Sequence, residues 1–176
     1  MENKNVKVTE VGPRDGFQSE KTILKTEDKV EIINNLIGAG FPRIEVSSFV
    51  SPKAIPQLAD ASTILENVKK DKNTTLAALV PNARGAVRAA EAKIDEIVVF
   101  LSASESHNQK NVNRSVQESL LGFREIVKIA EDNNIPIQGD IATAFGCPFE
   151  GNVSPKRLGE ISKEYKIMGF KGVTLG

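Results

Sequence analysis

The chain is predicted to be an α/β protein on a parallel sheet, covering about six strands and five helices of a TIM (β/α)8 barrel, and three observations carry this. Short β-branched runs alternate with longer amphipathic runs at a repeat of roughly 25 to 40 residues, the pattern of successive strand–helix units. No G-x-G-x-x-G follows the first strand and no acidic residue stands where a ribose would need one, which counts against a dinucleotide-binding sheet. A closed barrel takes eight strands and typically about 250 residues, so the 176 residues read as one partial-barrel domain, 1–176, truncated at its carboxyl end. A flavodoxin-like or Rossmann sheet, which closes with five or six strands, is the structural alternative.

The elements follow in order. Val6–Val11 is the first strand, and Thr26 caps a helix with Glu27 and Asp28 in its first turn, Val30, Ile33 and Ile37 on one face and Gly40 as its stop. Ile44–Phe49 is the second strand, followed by a helix from about Ile55 to Lys70. Thr75–Val80 is the third strand, Ala83–Ala92 a short helix and Ile97–Leu101 the fourth strand. The stretch from Ser104 to Arg114 is too polar for core and reads as a loop. Ser115 then opens a helix with Glu118 at capping-box spacing and Val116, Leu120, Phe123 and Val127 inward. Ile137–Thr143 is the fifth strand; Ser154-Pro155 starts a helix that Gly169 ends, and Gly172–Gly176 begins a sixth strand. Strands one and six are left as parallel edges, so the chain is expected to self-associate, a homo-oligomer being the simplest outcome.

Composition narrows the function classes. Lys plus Arg and Asp plus Glu stand at 23 each, so neither sign is in excess and nothing marks the chain for nucleic acid or an anionic membrane surface. No apolar run approaches the roughly 18 residues of a membrane helix and no signal region opens the chain, which predicts a cytoplasmic protein. One cysteine, Cys147, and one histidine, His107, exclude an internal disulfide and a Cys/His zinc cluster. Any metal is therefore expected to be held largely by oxygen, or by groups supplied from elsewhere.

The candidate chemistry lies at the carboxyl ends of the strands, where barrel loops converge. Val11-Gly12-Pro13-Arg14-Asp15-Gly16-Phe17-Gln18 puts a guanidinium, a carboxylate and an amide in the loop after the first strand. Such a guanidinium can stabilise a developing enolate while the carboxylate holds a divalent cation; a surface ion pair beside a Gly-Pro turn is the bland reading. Glu45 is a carboxylate inside a β-branched strand, either a buried partner of Arg14 or a group that moves a proton. Ser47 and Ser48 end that strand, and Lys53 follows as a weak candidate. Asn82 reads first as an Asx turn before its helix. Lys110, Asn111 and Arg114 make a basic loop able to grip an anionic group, and His107 shows no Ser or Cys partner at triad spacing. Cys147, before a proline, reads as structural.

Five separated motifs together resemble a known family. Glu10 to Gln18, Ile44 to Lys53, Ser102-Ala103-Ser104-Glu105, Lys110-Asn111-Val112-Asn113 and Gly146-Cys147-Pro148-Phe149-Glu150-Gly151 are similar, in the same order, to those of the 3-hydroxy-3-methylglutaryl-CoA lyases of the DRE-TIM metallolyases. Phe17 favours cleavage over condensation, since the related Claisen synthases usually carry glutamate there. The resemblance implies a TIM barrel that uses Mg²⁺ or Mn²⁺ to cleave 3-hydroxy-3-methylglutaryl-CoA to acetoacetate and acetyl-CoA, the reaction ending leucine catabolism. It implies that Asp15 is a metal ligand, that Arg14 stabilises the enolate, and that Glu45 supports the metal-bound region or proton transfer. Gln18 and Ser48 would line the acyl-CoA site, with Asn111 and Thr143 as peripheral contacts.

The departures from the family pattern are specific. The His-x-His pair, the glycine-rich loop with the catalytic cysteine, an asparagine ligand and the last two strands have no counterpart in the 176 residues, and Cys147 belongs to a different motif. With one of the metal ligands present, the chain is expected to be inactive alone. A non-catalytic self-associating half-barrel and a related acyl-CoA aldolase or synthase are the alternatives.

Overall fold

The computed structural model describes residues 6–176. Six strands pair in parallel and in chain order: β1 (Thr9–Glu10), β2 (Arg43–Ser48), β3 (Thr75–Leu79), β4 (Glu96–Ser102), β5 (Ile137–Ala142) and β6 (Gly172–Leu175). A doubly wound sheet reverses its strand order at a switch point; this one never does, so the open-sheet alternative falls and the architecture is that of a partial TIM barrel. The helices are α1 (Phe17–Ser19), α2 (Thr26–Gly38), α3 (Ala61–Asn67), α4 (Ala83–Glu91), α5 (Glu105–Val112), α6 (Val116–Asp132) and α7 (Pro155–Ile167).

The core lies between the helices and the outer face of the sheet. Ile44, Val46, Leu76, Ala78, Ile97, Val99 and Ile141 meet Ile33, Ile64, Ala86, Phe123, Ile126, Ile161 and Tyr165 there, all buried. The inner face is polar: Arg43 Nε donates to Glu96 Oε1 at 2.7 Å, and Arg43 also reaches Glu45. The alternation along β2 thus separates an apolar outside from a charged inside. Its register with β3 slips between Glu45 and Ser47. The extra residue of this bulge changes the phase of the strand, so that Ser48 rather than Ser47 faces the same side as Glu45.

Several elements differ from expectation. β1 is two residues long, and Val6 and Val8, read as strand, are exposed because no partner reaches that far down the edge. The Val11–Gln18 loop is helical: Gly12–Gly16 forms a π-helical turn that runs into α1, with Pro13 buried near its start. Thr26 does not cap α2; Lys25 holds the N-cap position, and the Thr26 hydroxyl donates to Asp60 Oδ2 at 2.8 Å. The helix expected from Ile55 to Lys70 is a 3-10 turn, Pro56–Leu58, followed by the shorter α3. The polar stretch after β4, expected as a loop, is α5, opened by Ser104, whose hydroxyl accepts from His107 N–H.

Other expectations hold. Ser115 and Glu118 form a complete capping box at the start of α6, and Ser154 caps α7 with Pro155 at its first position. Gly40 and Gly169, at φ +83° and +81°, stop α2 and α7 in the left-handed conformation open to glycine. β1 and β6 are the two ends of the sheet. No helix among the described residues is long and apolar enough to cross a membrane.

Candidate active site

A cavity of about 600 Å³ opens at the carboxyl ends of the strands. Arg14 and Gln18 reach it from the segment after β1, Ser48 from β2, Asn82 after β3, Asn111 and Arg114 after β4, and Asp140 and Thr174 from β5 and β6. The loops of a barrel meet on this face whatever their sequence. The backbone geometry therefore assembles residues from opposite ends of the described chain, Arg14 and Thr174 among them.

Arg14 is the most constrained of these groups. The π-helical turn holds its backbone, with Arg14 N–H and Asp15 N–H both donating to Val11 C=O at 3.0 and 2.8 Å. Its side chain donates from Nε to Glu45 Oε2 at 3.0 Å, and Nη2 lies 3.0 Å from the same oxygen. One hydrogen bond and a close ion-pair contact to a buried carboxylate, with Nη1 donating to Asp15 Oδ1 at 2.9 Å, hold the guanidinium in place. Glu45 is buried, and Arg43 Nη1 meets its other oxygen at 3.4 Å. The expected cluster of Arg14, Asp15 and Glu45 is real, and it includes the ion pair that was the blander reading of Glu45.

Asp15 stands at the rim. Its side chain is 64% exposed, and Oδ1 lies 2.9 Å from Arg14 Nη1. Among the described residues no three His, Cys, Asp or Glu side chains come together to hold a metal ion. The residues present do not fit a complete divalent-metal centre. Asp15 offers a single carboxylate, with one oxygen already facing Arg14.

The remaining candidates divide by what occupies them. Ser48 faces the cavity while its hydroxyl donates to Leu79 C=O at 3.2 Å. Asn82 is the N-cap of α4, accepting from Gly85 N–H at 2.9 Å, and also lines the cavity. Thr143 sits at φ +58° with its hydroxyl donating to Ala142 C=O at 2.6 Å, among residues that do not line the cavity. Lys53 is exposed.

Asn111 depends on α5, which a buried hydrogen-bond set fastens to β4. Asn108 Oδ1 accepts from Ser102 N–H at 2.9 Å, and its amide nitrogen donates to Arg114 C=O and Ser119 Oγ, each at 2.9 Å. His107, for which sequence spacing suggested no serine partner, has Ser102 Oγ 2.6 Å from Nδ1. Ser102 is fully buried, so this pair braces the helix and offers no accessible nucleophile. Glu150 Oε1 accepts from Ser106 N–H at 2.6 Å, and the bonds to Ser106 hold this carboxyl below its ordinary range. A carboxylate at a helix start also suits the helix dipole. Cys147 Sγ lies 3.0 Å from Ser104 Oγ, inside the loop clamped by the Cys147–Gly151 bridge, which agrees with a structural role.

Asp140 was not anticipated. It is half-buried on the inner face of β5, opposite Phe100 of β4 and Thr174 of β6, both of which also line the cavity. Burial pushes its carboxyl above the ordinary value; Glu45 adds to the rise, while Thr174 and the two arginines oppose it. The available signal was a lone aspartate in an otherwise uncharged strand, the same signal that pointed to Glu45 in β2.

Comparison with known proteins gives a consistent result. The family model described as HMGL-like matches residues 5–176. The mitochondrial hydroxymethylglutaryl-CoA lyase of Homo sapiens is 42% identical over 173 residues, 98% of this chain and 53% of the relative. The cytoplasmic 3-hydroxy-3-methylglutaryl-CoA lyase of Homo sapiens is 43% identical over 171 residues, 97% of this chain and 46% of the relative. A solved HMG-CoA lyase from Acinetobacter baumannii, in complex with coenzyme A and 3-methylmalate, superposes with a TM-score of 0.92 at 41% identity, covering 96% of this chain and 55% of that one. The chain spans about half the length of the curated relatives it matches.

Proposed function

The chain belongs to the HMGL-like family, and from that premise we propose that it carries the enolate-stabilising part of a carbon–carbon lyase acting on 3-hydroxy-3-methylglutaryl-CoA. The single observation behind this reading is the Arg14–Glu45 pair: a guanidinium held by a 3.0 Å hydrogen bond and ion pair to a buried carboxylate at the edge of a 600 Å³ cavity. Cleavage between the second and third carbons of the acyl group leaves negative charge on the thioester oxygen of the departing acetyl unit. A guanidinium already held in place stabilises that charge without the cost of reorganising water. Gln18, Ser48 and Asn111 then line the acyl-CoA site, and the products are acetoacetate and acetyl-CoA, as in leucine breakdown.

A divalent cation, Mg²⁺ or Mn²⁺, belongs to the same reading, with Asp15 as one ligand. The described residues do not form a complete centre, so turnover by this chain alone is expected to be near zero. A cytoplasmic location is part of the proposal, supported by the 43% match to a relative so described, beside the 42% match to a mitochondrial one.

The test is calorimetric titration of the chain with 3-hydroxy-3-methylglutaryl-CoA in Mg²⁺, alongside a coupled assay for acetyl-CoA. Saturable binding that weakens at least tenfold in Arg14→Gln, with little turnover, is the expected result. Binding indifferent to Arg14 would overturn the assignment. Rapid metal-dependent turnover would show that further ligands are supplied from elsewhere, a second copy included.

A further inference from the structure

Asp140 stands in the cavity wall with its charge unclaimed. The two nearby guanidiniums bond other carboxylates, Arg14 and Arg43 both meeting Glu45 and Arg43 also Glu96, which takes Lys171 as well; Arg43 Nη2 is buried without a hydrogen-bond partner and makes no ion pair with Asp140. Asp140 makes no ion pair among the described residues. What faces it is known from each neighbouring element: Arg14 from the turn after β1, Arg43 and Glu45 from β2, Phe100 from β4 and Thr174 from β6. On the helix side Tyr165 donates to the Asp140 backbone carbonyl at 3.2 Å and leaves the carboxyl free.

A carboxylate in this setting is short of donors. Water is partly excluded, Glu45 repels it, and Thr174 supplies only one hydroxyl, so a ligand that brings a hydroxyl into the cavity relieves it. A ligand without that hydroxyl leaves an under-solvated acceptor unsatisfied, which costs more than the bond itself contributes. Resting on the acyl-CoA lyase reading above, we propose that Asp140 is a specificity-determining residue that accepts the hydrogen bond of the substrate's 3-hydroxyl group. The cavity therefore selects hydroxyacyl thioesters over their deoxy counterparts at β5.

The test compares equilibrium binding of 3-hydroxy-3-methylglutaryl-CoA and 3-methylglutaryl-CoA, the same molecule without the hydroxyl, to the 176-residue chain in Mg²⁺. The native chain should prefer the hydroxylated ligand by about tenfold or more. In Asp140→Leu the preference should fall to about one with the deoxy ligand bound as well as before, which also reports that the variant is folded. Asp140→Asn keeps the volume and weakens the acceptor, so it should show an intermediate ratio, and it decides the matter if the leucine variant does not fold. A native preference that persists in the variants, or a native chain that binds both ligands equally, overturns the role of Asp140 and leaves the lyase reading standing. A native chain that binds neither ligand overturns the lyase reading itself, and this inference with it.

Discussion

Glu45 shows how much of this site rests on one side chain. Its carboxylate is buried and receives two guanidiniums, so removing it strands two positive charges in a partly desolvated layer. Glu45→Ala is expected to destabilise the fold by about 3 kcal/mol, measured by urea denaturation, whereas Arg14→Ala should cost less because Arg43 still reaches Glu45. Asp140 behaves in the opposite sense. Its folded-state value lies above the ordinary 3.8, so the folded chain holds the proton longer than the unfolded one as pH rises. Stability contributed by the protonated form is present below that ordinary value and is lost through the interval up to the folded-state value. Asp140→Asn should therefore melt at a higher temperature than the native chain at pH 7, with the gap closing towards pH 3. An equal gap at both pH values would contradict this. A group that destabilises its own fold at working pH is consistent with a residue kept for binding.

At the scale of elements, packing outside the barrel is as particular as the chemistry inside. Gly139 lies on the outer face of β5, and a Cβ there would fall 2.3 Å from the Tyr165 ring and 2.8 Å from Phe170. These two rings stack on each other with centroids 4.6 Å apart. Gly139→Ala must push α7 off the sheet, at a cost of about 2 kcal/mol or more, readable as a lower urea midpoint. Lys29 of α2 is fully buried, donating to Gln57 C=O at 2.6 Å and to Asp60 at 2.9 Å. Asp60→Ala leaves that ammonium unpaired inside the protein and should cost roughly 3 kcal/mol; Lys29→Met with Asp60→Ala should recover most of it, as thermal melts of the single and double variants would show. Local signals made some elements legible and hid others. The Ser115/Glu118 box declares its helix because both caps are written within four residues. α5 carries no apolar stripe, since it is held by Asn108, Ser104 and His107 rather than by burial of hydrophobic side chains, so its polarity reads as a loop in the sequence.

For the whole molecule, the consequence of an ordered six-strand sheet is two strand edges. β6 is mostly exposed, with Val173 and Leu175 open to solvent, and at the other end Val8 is exposed and Val11 partly so. Unpaired strands flanked by apolar side chains favour association. Sedimentation equilibrium should show the mean mass rising above 19.1 kDa with concentration, and the melting midpoint should rise with it; a constant monomer mass would count against this. From sequence alone came the alternating strand and helix order, the glycine stops of α2 and α7, the sheet's parallel sense and the grouping of Arg14, Asp15 and Glu45, because periodicity, a glycine after a helix and a carboxylate in a strand are local facts. Tertiary structure alone decided that Arg14 is aimed by Glu45, that the bulge turns Ser48 inward, that the Thr143 hydroxyl is bonded to the Ala142 carbonyl and that Asp140 joins the cavity. Those depend on strand phase and on which elements meet at one end of the sheet, and such contacts are set by the path of the chain in space rather than by spacing along it.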